Sequence, residues 1–77
     1  MNKYVAVFTS HYDALIFCNE MKKGGIAATL APAPRKVSTS CGTCVLFESD
    51  SINNLPNCDV EAIYINIDGK YSIVLVN

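Results

Sequence analysis

The chain lacks any apolar run approaching the roughly 18 residues of a membrane span. Its opening run, Tyr4 to Phe8 in "MNKYVAVFTSHYD", is shorter than the ~7 residues a secretory signal requires, and no small-residue cleavage site follows. The expectation is a cytoplasmic protein without membrane contact, in a compartment where thiols stay reduced. Basic residues are also scarce. There are six Lys and Arg, and only Lys22-Lys23 and Arg35-Lys36 are adjacent. Sequence-independent nucleic-acid binding needs several clustered phosphate contacts, so that class of partner is set aside. A second cysteine pair is missing as well. Closed zinc sites use four ligands, usually as two short-spaced pairs. Here only Cys41 and Cys44 are closely spaced, while Cys18, Cys58 and His11 stand alone, so no metal ligands are assigned. Gly24-Gly25 lacks the spacing and the Lys-Ser/Thr of a phosphate loop. Neither a nucleophile elbow nor a carboxylate pair on a defined element occurs, which leaves hydrolysis without support.

Charge in general is low. Charged residues make up 17% of the 77 and apolar ones 51%, a balance that excludes a disordered chain. A chain of this length forms one domain, residues 1–77, and buries only about 60% of its unfolded surface.

The elements follow from patterning. "KYVAVFTS" is apolar on both alternations, the mark of a central strand covered on both faces. "SHYDALIFCNEMKKGG" reads as a helix with marked ends. Ser10 can cap the first turn with Asp13 three residues on, Lys22 and Lys23 sit at the negative end of the dipole, and Gly24-Gly25 stop it. Ala14, Leu15, Cys18 and Met21, with Phe17, form the stripe facing the sheet. "IAATLAP" is a second strand, ended by Pro32 and Pro34. "APAPRKVSTSCG" is a loop, and "TCVLFES" a third strand. "DSINNLPNCD" leaves room for at most one helical turn. In "EAIYINIDGKYSIVLVN", Ile63, Ile65 and Ile67 alternate with polar positions, and Asp68-Gly69 supplies a type I′ hairpin turn. The order is β-α-β-β-(short turn or helix)-β-β. This is an α+β, ferredoxin-like-related two-layer sandwich, with one main helix on one face of a mostly antiparallel sheet. One helix covers one face, and the simplest cover for the other is a second copy, a homodimer through the apolar sheet face.

The loop "RKVSTSCGTC" holds the chemistry. Cys41 follows a Pro-rich segment and precedes Gly42, a placement that leaves its sulfur partly exposed. Thiol chemistry needs the thiolate, which nearby cations and hydrogen-bond donors favour. Arg35 supplies a permanent charge, Ser38, Thr39 and Ser40 supply hydroxyls, and successive backbone N–H groups can gather into an anion nest. Against this stands an inert small residue in a turn. Cys44 admits several readings: a redox partner, half of a metal site, a resolving thiol for Cys41, or a packed strand residue. An apolar strand follows Cys44, unlike a thioredoxin motif, where a helix follows. Cys18 fits the helix stripe. Cys58 lies beside Asp59, whose charge opposes a thiolate. His11 reads as a solvated first-turn residue.

"P-R-x-x-S-x-S-C-G", Pro34 to Gly42, resembles the signature of the DUF3343 family of bacterial selenium/sulfur (Se/S) carrier-like domains. The surrounding order agrees over residues 3 to 48: strand, helix closing on Gly, strand into Pro-Arg, then Ser-Cys-Gly entering another strand. The resemblance implies a protein that holds sulfur or selenium on its cysteine as a persulfide or selenopersulfide, between donor and acceptor proteins. Cys41 would then hold the atom, Arg35 neutralise it, and Ser38, Ser40 and Gly42 shape the loop. Cys44 stands where the family carries a small or apolar residue, so a second thiol could discharge the cargo as a disulfide. The family's second helix is reduced here to "DSINNLPN". Such a carrier, rather than a catalyst, needs no resident cofactor beyond the covalent sulfur or selenium. The alternatives are a dithiol redox or metal-binding module on Cys41 and Cys44, and a dimeric interaction domain without chemistry.

Overall fold

A computed structural model of the chain describes residues 1–37, 39–53, 55–56 and 59–76. Strand β1 (Asn2–Phe8) leads into helix α1 (His11–Lys23), followed by β2 (Ala28–Pro32), β3 (Thr43–Ser49), β4 (Val60–Ile67) and β5 (Lys70–Val76). The five strands form one sheet in the order β2-β3-β1-β4-β5, with every neighbouring pair antiparallel. Strands β1 and β2 therefore run the same way with β3 between them, and such a pair needs a crossover, here the helix. The first four strands and α1 make a ferredoxin-like arrangement in which the described residues between β3 and β4 form no second helix. Ile52 and Leu55 among them pack against the helix-side core.

The caps explain why α1 starts and stops where it does. Ser10 is extended and its hydroxyl accepts from the Asp13 N–H at 3.2 Å, satisfying a free donor of the first turn. The same hydroxyl donates to Asp13 Oδ2 at 2.9 Å. At the other end Gly25 has φ +81°, and the N–H groups of Gly25 and Ile26 reach back to the Lys22 and Met21 carbonyls at 3.1 and 3.0 Å. That is a Schellman closure, with Ile26 folding onto the core. The buried stripe is Ala14, Phe17, Cys18 and Met21, at helical spacing i, i+3, i+4 and i+7. Leu15 was expected in this stripe but is 40% exposed. It sits about a third of a turn off the buried line, whereas Phe17, also expected there, is fully buried.

Both alternations of β1 are buried. Tyr4, Ala6 and Phe8 face the helix in a core with Phe17, Val45, Phe47 and Ile63. Its aromatic rings pack in series: Tyr4 on Phe47 at 5.2 Å, Phe47 on Phe17 at 5.8 Å, and Phe17 on Phe8 at 5.1 Å between centroids. Val5 and Val7 face the other side, with Cys44, Ala62 and Val37. Val37 belongs to the loop between β2 and β3. That loop turns on Pro34, whose carbonyl accepts from the Val37 N–H at 3.0 Å. The chain thus covers part of the second face with its own strap, where the sequence suggested a second copy. Leu46, Ile73 and Val76 on that face remain 39%, 55% and 70% exposed. The β4–β5 hairpin turns through Asp68 (φ 53°) and Gly69 (φ 83°), the paired left-handed conformation of a type I′ turn.

Phe17→Ala should cost about 3–5 kcal/mol, enough to unfold much of a domain this small. Leu15→Ala should cost less than about 1 kcal/mol. Urea denaturation of the two variants checks the assignment, and a larger loss at Leu15 would overturn it.

Candidate functional site

The strap runs from Ala33 to Gly42 and is tied at its base by an Ala33 N–H to Gly42 carbonyl bond of 3.0 Å. Gly42 has φ +75°, a left-handed conformation that L side chains rarely adopt. A Cβ there would meet open space, so the requirement for glycine is conformational, not steric. After Val37 dips into the second-face core, the strap returns to the end of the sheet where β1 passes into α1. Thr39 fixes that return, its Oγ1 donating to the Phe8 carbonyl at 3.2 Å.

Cys41 lies at this corner, half-buried, with its side chain against the helix-side core. Its Sγ is 3.5 Å from the Thr43 carbonyl and 4.0 Å from Thr39 Oγ1. Thr43 Oγ1 in turn lies 3.3 Å from Nδ1 of His11, the first residue of α1. Through Thr43 the segment that holds Cys41 is thus linked to the first residue of the helix. Sequence reading placed His11 in solvent and gave it no link to this loop. It is exposed, but the fold brings it to Thr43 across 32 residues of chain.

Glu61 is the second residue that the sequence did not single out. In the β1–β4 ladder Val7 pairs with Ala62 and Phe8 with Val60, which leaves Glu61 as the extra residue of a bulge. Bulges re-aim side chains, and Glu61 meets the strap. Its Oε1 accepts from the Ser40 N–H at 3.3 Å and its Oε2 from the Ser40 hydroxyl at 2.7 Å. The signal that could have found it was its position at the start of β4, directly after the loop, but the partner 21 residues away is a matter of topology.

The other assigned residues fall out differently. Arg35 is exposed at the corner of the Pro34–Val37 turn and, among the described residues, makes no hydrogen bond or ion pair, with Cys41 included. Ser38 and Cys58 lie outside the described residues. Cys44 carries a free thiol, as do Cys18 and Cys41. It is fully buried in the second-face core, whereas Cys41 packs on the helix side. The Cys44 thiol donates to the Pro32 carbonyl at 3.7 Å. Burial, and to a lesser degree the nearby Cys41, push the Cys44 thiol above its ordinary value of 9.0. Both causes disfavour its thiolate. Among the described residues no three His, Cys, Asp or Glu side chains gather as a metal site would. Among the described residues no helix is long and apolar enough to cross a membrane.

A family model described as "Putative Se/S carrier protein-like" matches residues 3–72. The chain belongs to that family. The match runs through β4 and into β5, beyond the front half in which the motif resemblance was read. No curated protein and no solved structure matches the chain. Within the family's span, Cys41 occupies the strap and Cys44 the first pairs of β3, opposite Val7 and Ala31.

The raised Cys44 value fixes a sign. A thiol kept neutral by the fold favours the folded state while it is protonated. Below about pH 9 this contribution is fully present. It is lost as the pH rises above 9.0 toward the folded value, because the unfolded chain releases the proton first. The urea midpoint of the wild-type chain should therefore fall more steeply above pH 9 than that of Cys44→Ala. Equal slopes would show that Cys44 does not ionise differently on unfolding.

Proposed function

We propose that this protein carries a sulfane sulfur or selenium atom on Cys41 and passes it from a donor protein to an acceptor protein. The observation that carries the reading is the family match over residues 3–72, which spans the strap and the strands that hold it. The placement of Cys41 adds support: a free, half-buried thiol on a loop.

The transfer is redox-neutral. Cys41 gives its proton to solvent, and the thiolate attacks the terminal sulfur of a donor persulfide. A bond forms between Sγ and that sulfur as the donor's sulfur–sulfur bond breaks, and the donor leaves as a thiolate. Delivery is the same exchange in reverse order, with the acceptor thiolate attacking and Cys41 leaving. Selenium follows the same course. Neither step needs a resident cofactor or an enclosed cleft, only access for the partner's reacting group and a loop that tolerates an anion.

Cys44 enters this reading as a packing residue. Its sulfur is sequestered on the opposite side of the sheet from the core that Cys41 touches, and burial opposes its thiolate. Arg35, exposed on the strap, contributes positive charge to the surface that a partner meets.

Incubation with a persulfide donor should add the mass of one sulfur atom to the intact chain, mapped by proteolysis to Cys41. Cys41→Ser should abolish the gain and Cys44→Ala should retain it. A gain confined to Cys44 or Cys18, or no gain at all, would overturn the assignment.

A further inference from the structure

Two hydrogen-bond donors of Ser40, the residue directly before Cys41, are both taken by one carboxylate. The N–H donates to Glu61 Oε1 at 3.3 Å and the hydroxyl to Oε2 at 2.7 Å. Hydrogen bonds to an ionised acceptor are the stronger kind. The β1–β4 bulge spends an unpaired residue of the ladder to aim Glu61 there. Meanwhile, among the described residues, the Cys41 sulfur has two long polar contacts, 3.5 Å to the Thr43 carbonyl and 4.0 Å to Thr39 Oγ1. Neither involves Ser40, so the empty thiol and the carboxylate do not compete. A loaded Cys41 changes this. A persulfide or selenopersulfide ends in an anionic atom one bond beyond Sγ, and it has no N–H or O–H donor of its own. The donors on the adjacent residue are those of Ser40, and two anions cannot both accept the same hydrogens without repelling one another.

We infer that Glu61 is an internal counter-anion of the empty carrier: it holds the Ser40 N–H and hydroxyl while Cys41 is unloaded, and sulfur or selenium bound on Cys41 displaces it. Glu61 is thus a positioning residue, acting on the cargo through Ser40. The inference rests on the carrier reading above. No covalent change accompanies the switch, since two hydrogens exchange a carboxylate acceptor for a chalcogen acceptor. Displacing Glu61 opposes loading, which weakens the hold on the cargo and favours delivery. It also makes the strap differ between the empty and loaded forms, a difference that donor and acceptor proteins can bind selectively.

Glu61→Gln keeps the side-chain size and removes the charge. The full-length chain and this variant are exposed to the same limiting concentration of inorganic polysulfide, and the ratio of loaded to empty Cys41 is read by intact mass. Loss of one competing hydrogen bond's net worth corresponds to about a fivefold higher ratio in Glu61→Gln. A wild-type chain that loads while Glu61→Gln loads equally or less overturns this inference alone. A wild-type chain that takes up no sulfur overturns the carrier reading and this inference with it. Should Glu61→Gln fail to fold, the carboxyl carbon resonance of Glu61 in the wild-type chain decides. It is expected to move on loading and to stay fixed in polysulfide-treated Cys41→Ser. An unmoved resonance in the loaded wild-type chain overturns the inference.

Discussion

Strand β1 presents Tyr4, Ala6 and Phe8 to one side of the sheet and Val5 and Val7 to the other, and all five are buried. Burying apolar surface at about 25 cal/mol per Å² is the main stabilising contribution available to a chain of this size. A central strand that is apolar on both faces requires cover on both, and the sequence provides two covers of different kinds. Helix α1 lies on one face, with Phe17 at the centre of the aromatic series. On the other face the loop between β2 and β3 inserts Val37 beside Val5, Val7 and Cys44. The loop that holds Cys41 is therefore a structural element, anchored by a hydrophobic plug at one end and by Thr39 at the other.

That double duty explains the composition of the motif from Pro34 to Gly42. Pro34 starts the turn that sends Val37 inward, and the same turn leaves Arg35 in solvent. Gly42 takes the left-handed conformation from which the chain enters β3. Between them Ser40 is bound to Glu61. A strap held at several points keeps Cys41 in one place without enclosing it. A thiol that exchanges with partner proteins needs both conditions: fixed geometry at the sulfur and open access to it.

Much of the architecture was legible in the chain. The bounds of β3, the helix with its Ser10 cap and glycine stop, and the Asp68-Gly69 hairpin all follow from local rules, because caps and tight turns depend on residues three or four apart. The stripe of α1 was legible except for Leu15, which lies outside it, while Phe17 packs against Phe8 and Phe47. On the second face one contribution was not legible: the strap residue Val37. A loop with two prolines shows no periodicity, and nothing local marks Val37 as a core residue, so the part of the cover that the chain supplies itself was missed. In the strap, Cys41 and Gly42 were singled out from the motif itself. Arg35 was paired with the thiol on proximity in sequence; it is exposed and, among the described residues, makes no hydrogen bond to it.

The sequence by itself determined the elements, the central place of β1 and the position of the strap cysteine. Each of these depends on patterning or on conformations available to a few neighbouring residues. Only the tertiary structure decided which groups meet Cys41 and its loop. His11 reaches Thr43 from 32 residues away and Glu61 reaches Ser40 from 21. The first contact exists because β1 delivers the helix N-terminus to the end of the sheet where β3 begins. The second exists because one extra residue in β4 turns a carboxylate out of the ladder. Strand order and a bulge set these meetings, and neither is a property of any short stretch of the chain.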